Sequence, residues 1–108
     1  MEKKKTPKTK RVNAETAVSS FYKALDHKVA NTTTIYFRNG GDVVRIYTLT
    51  NQPIVDIPMT LMNKIYQAES RTIKKFSGSF DFDFKVSEKK DVRAGEMRAV
   101  GYKRYVPA

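Results

Sequence analysis

At 108 residues the chain has room for one domain, and its 40% hydrophobic and 30% charged residues suit a folded, soluble protein rather than a disordered one. The absence of cysteine excludes disulfides and cysteine-based zinc sites, and it favours a reducing compartment over secretion. A formal net charge of +10 at pH 7 predicts a polyanionic partner.

Half of the excess charge lies at the N-terminus. Residues 1–11 hold six of the 21 basic residues and one of the 11 acidic residues, so this segment and the rest of the chain each carry a net charge of +5. Because Met1 is its one apolar residue, we predict a disordered basic arm over 1–12 that orders on a polyanion, joined to a single domain over 13–108. A solubility tail or an expression artefact is the alternative. The cations of the arm are Lys3, Lys4, Lys5, Lys8, Lys10 and Arg11.

The sequence also bears on location. No apolar segment follows Lys10 and Arg11, so the N-terminus does not resemble a secretory signal. No run approaches the ~18 consecutive apolar residues of a membrane span. We therefore expect a protein that is neither secreted nor membrane-bound and that resides in the cytoplasm, a nucleoid or a virion interior.

The first predicted element is a helix. Asn13 is typical of a helix N-cap, and Glu15 is well placed in the first turn. Apolar residues then recur at three- and four-residue steps, which predicts a helix that ends near Ala30. Its buried face consists of Ala14, Ala17, Val18, Phe21, Leu25 and Val29.

A β-hairpin follows and is the clearest local signal in the sequence. Residues 32–38 and 43–50 are rich in β-branched and aromatic residues, and a turn cluster over 39–42 separates them. The turn contains Asn39 and Gly40, and an Asn-Gly pair between two such runs is typical of a hairpin because both residues tolerate positive φ.

The second half of the chain predicts a short edge segment, a helix and more strands. Pro58 marks a helix start, and the apolar spacing extends that helix from Met59 to Glu69. Its buried side is expected to hold Leu61, Met62, Ile65 and Tyr66. The edge segment is expected at 54–57 and the strands near 71–76, 79–87 and 96–106.

Together these elements predict an α+β protein. The expected architecture is one small domain with an antiparallel sheet of about four or five strands, two short helices and the disordered basic N-terminal arm.

No constellation of residues favours an enzyme. His27 is the only histidine and has no acidic cluster beside it, so neither a catalytic pair nor a metal site can be built around it. Asp81 and Asp83 lack a third carboxylate for magnesium, and we expect them to pair across strands with basic residues such as Arg98 or Lys103. We predict a non-enzymatic protein with no metal, no cofactor and no small-molecule substrate.

The phenylalanines of 80–86 alternate with charged residues. Phe80, Phe82 and Phe84 therefore share one face of a strand, where their expected role is core packing. A platform for stacking unpaired bases is the alternative, but so small a domain needs these rings in its core.

Cations interleaved with tyrosines on the predicted strands indicate nucleic acid, because phosphates take the charge while tyrosine rings stack on bases. We expect Arg98, Val100, Tyr102 and Arg104 to alternate onto one face of the last strand. The leading hypothesis is sequence-tolerant binding of single-stranded DNA or RNA by the arm and a sheet face that bears tyrosine and arginine. The candidate binding residues outside the arm are Arg38, Arg45, Tyr47, Arg71, Lys74, Lys75, Arg98, Tyr102, Lys103, Arg104 and Tyr105.

Two other functional classes stay open at this point. One is a small structural or assembly protein, for example a viral or phage virion component or a nucleoprotein component, that forms homo-oligomers through its strands. The other is a basic inhibitor or adaptor that docks on an acidic protein. The choice between DNA and RNA stays open as well, because the aromatic RNP signature, the KH glycine loop and the zinc knuckle are all missing.

Overall fold

The computed structural model describes residues 13–25 and 27–107, and these residues form a four-stranded sheet with four α-helices. The helices are α1 (Ala14–Ala24), α2 (His27–Ala30), α3 (Met59–Phe76) and α4 (Ala94–Ala99). The strands are β1 (Thr33–Asn39), β2 (Val43–Thr50), β3 (Asp81–Glu88) and β4 (Lys103–Arg104). The predicted edge segment at 54–57 is instead a short 3₁₀ helix, Ile54–Asp56, and a second one, Lys89–Asp91, follows β3.

The strand order across the sheet is β3-β2-β1-β4. β1 pairs antiparallel with β2 and with β4, whereas β2 and β3 are parallel. The predicted α+β class, the single small domain and the number of strands are confirmed, but the sheet is mixed rather than antiparallel. The physical reason is α3, whose 18 residues span ~27 Å and carry the chain back along the sheet, so that β3 starts beside the start of β2.

α1 begins and packs as the sequence predicts. The Oδ1 atom of Asn13 accepts a hydrogen bond from the backbone N–H of Thr16 at 2.9 Å, which confirms the N-cap. All six residues of the predicted apolar face are buried. The helix does not continue to Ala30, because the backbone of Leu25 is extended, and the separate turn α2 follows with His27 exposed at its first position.

The hairpin is confirmed within one residue at each end. Its turn is held by Asn39, whose Oδ1 accepts a hydrogen bond from the Gly41 N–H at 3.0 Å, and by a bond from the Gly40 N–H to the Val43 carbonyl at 2.9 Å. Gly41 has a φ of 89°, the left-handed backbone that the turn needs and that glycine adopts without strain.

The strand predicted at 71–76 is wrong, because α3 continues to Phe76. The face that buries Ala68 recurs four and eight residues later at Thr72 and Phe76, and the Thr72 hydroxyl donates to the Ala68 carbonyl at 2.8 Å. Helical spacing therefore outweighs the β propensity of these residues. Tyr66, which was expected on the buried side of the helix, is 48% exposed.

The strand predicted at 96–106 is wrong over most of its length. Residues Ala94–Ala99 form α4, and only Lys103–Arg104 pair with β1. Gly101, with a φ of 96°, ends the helix: its N–H bonds to the Arg98 carbonyl at 3.0 Å, and the Tyr102 N–H bonds to the Met97 carbonyl at 3.0 Å. This is a Schellman cap, and the glycine two residues beyond Ala99 is the sequence signal for it.

α1 and α3 pack on one face of the sheet, where they enclose the main core. The strands contribute buried Ile35, Phe37, Val44 and Ile46 to it. Phe80, just before β3, is buried in this core, and Phe82 and Phe84 pack against it half-buried, so the predicted packing role of the phenylalanines is confirmed. None of the helices in the described part of the chain is both long and apolar enough to cross a membrane.

Thr48 is fully buried on β2, and its Oγ1 has no hydrogen-bond partner among the described residues. We expect Thr48→Val to raise the free energy of unfolding by about 1 kcal/mol, because the change removes an unsatisfied buried hydroxyl and nearly preserves shape. Urea denaturation monitored by circular dichroism measures the difference.

Thr50→Val is the matched control. Thr50 is buried two residues further along the same strand face, but its hydroxyl donates to the Gln52 carbonyl at 2.9 Å. This variant is expected to lower the free energy of unfolding by about 1 kcal/mol. A Thr48→Val variant that is destabilised as much as Thr50→Val would contradict the prediction.

Candidate functional site

The face of the sheet that points away from α1 and α3, here called the distal face, gathers side chains from all four strands. Side chains alternate along each strand, so the strand register decides which residues lie side by side. In one row Arg38 on β1 lies opposite Arg45 on β2, and Arg45 lies beside Asp83 on β3. Asp83 Oδ2 is 4.0 Å from Arg45 Nε, so this row holds two guanidinium groups and one carboxylate, which pairs with Arg45.

The next row across the distal face carries a cation at each end. Tyr36 on β1 lies opposite both Tyr47 on β2 and Arg104 on β4, and Tyr47 lies beside Lys85 on β3. Arg104 is therefore a diagonal neighbour of Arg38, at the ~7–8 Å that separates such positions in a sheet. We call Arg38, Arg45 and Arg104 the arginine cluster.

Tyrosines of the distal face pack beneath α4. Tyr36 and Leu49 are buried there with Met97 of α4, and Tyr47 and Tyr102 pack around them half-buried. The rings of Tyr47 and Tyr102 meet edge to face, with centroids 6.1 Å apart, and the Tyr47 hydroxyl is 2.9 Å from the Ser87 Oγ atom. Packing thus holds these two rings in place and leaves each of them partly open to solvent.

The turn after α4 positions Arg38. A Cβ atom placed on Gly101 would lie 3.4 Å from Arg38 Nε and 3.6 Å from its Cδ, so the arginine side chain runs close to the glycine backbone. Gly101 is needed here for its positive φ, since a Cβ at these distances from Arg38 would make only ordinary van der Waals contact. Among the described residues, Arg38 runs beside the backbone of Gly101 and has no carboxylate partner, whereas Arg45 pairs with Asp83.

Five of the predicted binding residues meet on the distal face. Four of them occupy its rows by strand register, and the fifth, Tyr102, packs against Tyr47. Arg98 lies on α4, which covers part of the same face through Met97. The residues brought together in this way are Arg38, Arg45, Tyr47, Tyr102 and Arg104.

The other predicted binding residues lie elsewhere. Tyr105 packs on α1, with its ring 5.4 Å from that of Tyr22, and Lys103 lies opposite Phe37, so both belong to the helix side of the sheet. Three cations lie on α3, on that same side, with one of them 5.6 Å from the ring of Phe76. These three are Arg71, Lys74 and Lys75.

Burial raises the pKa of the Glu69 carboxyl, which also lies on α3 and not on the distal face. Within the described ranges, no group of three or more His, Asp or Glu side chains is placed to hold a metal ion.

The predicted arm residues Lys3, Lys4, Lys5, Lys8, Lys10 and Arg11 lie outside the described residues. The point at which the arm joins the domain is described. Asn13 lines a shallow cavity of about 370 Å³ together with Lys103 and Arg104. The described part of the chain therefore begins, at Asn13, beside the two residues of β4.

Asp83 pairs across strands with a basic residue, as predicted, but the partners named for it are wrong, because β3 borders β2 and not the last strand. Its carboxylate faces Arg45 instead of Arg98 or Lys103. Lys85 was not among the predicted binding residues, although it lies in a row of the distal face. The alternation of 80–86 placed it on the face of the aspartates, but no sequence signal showed that Tyr47 would be its neighbour.

We compared the chain with protein-family models, with curated proteins and with solved structures. None of the three comparisons found a match. The distal face is therefore interpreted from its own geometry and charge.

Proposed function

We propose that this protein is a non-enzymatic binder of single-stranded nucleic acid with little sequence specificity. The distal face and the N-terminal arm would neutralise phosphates together. The observation that carries the proposal is the register that sets Arg38 directly opposite Arg45 and Arg104 diagonal to Arg38, with Asp83 beside Arg45 as the one carboxylate of that row.

A phosphate group is a suitable ligand for the arginine cluster because it lowers the electrostatic repulsion between its positive charges. Like charges at directly opposed strand positions repel each other. The sheet holds Arg38 and Arg45 at such positions, and an anion between them relieves the repulsion. A guanidinium group donates two parallel hydrogen bonds to a phosphate, which makes arginine well suited to a phosphate backbone.

The tyrosines beside the cluster favour a single strand. Tyr47 and Tyr102 are half-buried, so each offers part of a ring to an unpaired base while its packing keeps it rigid. Such stacking tolerates any base, and the cations contact phosphate alone, which explains why little sequence preference is expected. The long helices α1 and α3 lie on the opposite face, away from the cluster.

The arm extends the basic surface. Its six cations are joined to the domain at Asn13, beside Lys103 and Arg104. The remainder of the chain keeps a net charge of +5, so binding does not rest on the arm alone. We assign affinity to the arm and the arginine cluster together and positioning to the distal face, in a protein of the cytoplasm, a nucleoid or a virion interior.

A salt titration tests the proposal. Fluorescence anisotropy with labelled single-stranded DNA, single-stranded RNA and duplex DNA gives affinities from 50 to 300 mM salt. If about five phosphates are engaged, log affinity falls against log salt with a slope near −3.5 on the single strands. A variant lacking residues 2–11 is expected to keep weaker binding with a shallower slope.

The control for the arm deletion is a full-length variant with all six arm cations replaced by glutamine, which removes charge and keeps length. It should behave like the deletion. The proposal would be overturned if the affinity did not depend on salt concentration. It would also be overturned if the protein bound neither single-stranded DNA nor single-stranded RNA at 50 mM salt. In that case the basic face would fit an acidic protein better, which is the second functional class that the charge allows.

A further inference from the structure

β3 lies at one edge of the sheet, and within the described chain only β2 pairs with it. It is eight residues long, and none of its residues is fully buried. This holds even for Phe82, Phe84 and Val86, which pack against the main core. A long edge strand whose apolar residues stay partly exposed is a template for pairing with another strand.

The direction of the backbone groups shows which residues of β3 are ready to pair. The N–H of Asp81 donates to the carbonyl of Asp42, at the start of β2, at 2.8 Å. Backbone groups alternate in direction along a strand, so Asp83 and Lys85 also face β2. The N–H and C=O groups of Phe82, Phe84 and Val86 then point to the outer edge.

We propose that β3 pairs antiparallel with β3 of a second copy of this chain, about a twofold axis that passes beside Phe84. In this register each Phe84 lies opposite the partner's Phe84 as a hydrogen-bonded pair. Phe82 then lies opposite the partner's Val86, which is also an outward-pointing residue. The two four-stranded sheets become one continuous sheet of eight strands.

Charge complementarity selects this register and identifies a second copy as the occupant. Asp83 lies opposite the partner's Lys85, and Lys85 lies opposite the partner's Asp83, so two ion pairs form across the axis. These are non-hydrogen-bonded positions, where the strands approach to ~4.5 Å between Cα atoms and side chains are closest. Asp83 would then lie between Arg45 of its own chain and the partner's Lys85.

Neighbouring registers that keep the outward-pointing residues paired are disfavoured. If the partner strand slides by two residues in one direction, Asp83 lies opposite the partner's Asp83. If it slides by two residues in the other direction, Lys85 lies opposite the partner's Lys85. Like charges at directly opposed positions destabilise a strand pair. The register centred on Phe84 is therefore the one that pairs opposite charges without also opposing like charges. The shift that opposes the two Asp83 side chains also pairs Asp81 with the partner's Lys85, but it keeps the repulsive pair at its centre.

The dimer also has a geometric consequence for the distal face. Residues directly opposite each other in a strand pair point to the same side, so the twofold axis is perpendicular to the sheet. The two distal faces then form one surface with two arginine clusters. The dimer itself does not require nucleic acid, and its test is made without any.

Sedimentation equilibrium of the full chain, over a concentration series, tests the proposal. The native protein is expected to show a monomer–dimer equilibrium. Lys85→Asp places aspartates at both positions of the ion pair, and Asp83→Lys places lysines there. Each variant alone is expected to dimerise about ten- to a hundredfold more weakly, because both ion pairs become repulsive.

An equimolar mixture of Lys85→Asp and Asp83→Lys is the decisive sample. Aspartates of one chain then face lysines of the other, and dimerisation is expected to return to within a few-fold of the native value. Lys89→Asp is the matched control, because Lys89 is an exposed lysine beyond the end of β3. This substitution makes the same charge change as Lys85→Asp and should leave the dimer intact. Circular dichroism checks that each variant is folded.

Three outcomes would overturn the proposal. The native chain could stay monomeric at every concentration. The single variants could dimerise as strongly as the native chain, which would place the contact elsewhere, for example on the arm or on the exposed side of α3. The mixture could also fail to restore the dimer. None of these outcomes bears on the salt titration, so the dimer and the nucleic-acid proposal can fail separately.

Discussion

Replacing Phe21 by alanine is expected to lower the free energy of unfolding by about 3–5 kcal/mol, the range for removing a large buried ring. Phe21 has 0% exposure and lies at the centre of the α1 face that packs on the sheet. Its ring centroid is 5.4 Å from that of Phe84, so the ring joins α1 directly to β3. Alanine would leave a cavity between helix and sheet.

The size of the effect matters because the total free energy of unfolding of a small domain is about 5–15 kcal/mol. Urea denaturation by circular dichroism measures the loss, provided that the transition is two-state. Tyr66→Ala is the control: it also removes a large ring, but from the exposed side of α3, where Tyr66 is 48% exposed. We expect it to cost less than about 1 kcal/mol. Equal losses for the two variants would contradict the assigned core.

The second large effect concerns binding. We expect the triple variant Arg38→Gln, Arg45→Gln and Arg104→Gln to bind single-stranded nucleic acid about fifty-fold more weakly at 0.15 M salt. The estimate follows from three lost phosphate contacts, each of which contributes about 0.7 to the slope of log affinity against log salt. The slope itself should become shallower by about 2. Glutamine has a polar atom at the position of arginine Nε and so preserves the part of the Arg38 side chain that lies beside Gly101.

A matched variant separates position from net charge. Arg71→Gln, Lys74→Gln and Lys75→Gln also remove three positive charges, but from α3 on the helix side of the sheet. This control is expected to lose only a few-fold in affinity, because it changes the long-range field without removing contacts. Equal losses in the two triple variants would mean that net charge alone drives binding and that the distal face is not the interface.

Local chemistry explains which elements could be predicted. The hairpin depends on Asn39 and on glycines that accept a positive φ, and α1 depends on a cap and on apolar spacing within one helix. These interactions act between residues close in sequence, so the pattern alone is sufficient. The last turns of α3, beyond Glu69, and the whole of α4 were missed for a related reason. β-branched residues near Thr72 and the alternation around Arg98 favour strands locally, while burial of Phe76 and Met97 decides for helix.

The candidate site could be predicted only in part. The sequence selected Arg38, Arg45, Tyr47, Tyr102 and Arg104, which the fold brings to one face, but it also selected Arg71, Lys74 and Lys75, which the fold places on the opposite side. The amino-acid composition does not show which of these cations lie on the same face of the sheet. Their separation follows from the α3 crossover, which buries one side of the sheet and leaves the other side to the arginines.

The sequence by itself determined the charge excess, the basic arm, the hairpin, the α1 core face and the alternation of 80–86. All of these depend on residue type and on spacing within one segment. Only the tertiary structure decided that β3 runs parallel beside β2, that Arg45 faces Asp83, and that an edge strand remains open. Those features depend on which strands become neighbours. That choice is made by the burial of α1 and α3 on a shared face, a free energy summed over residues far apart in the chain.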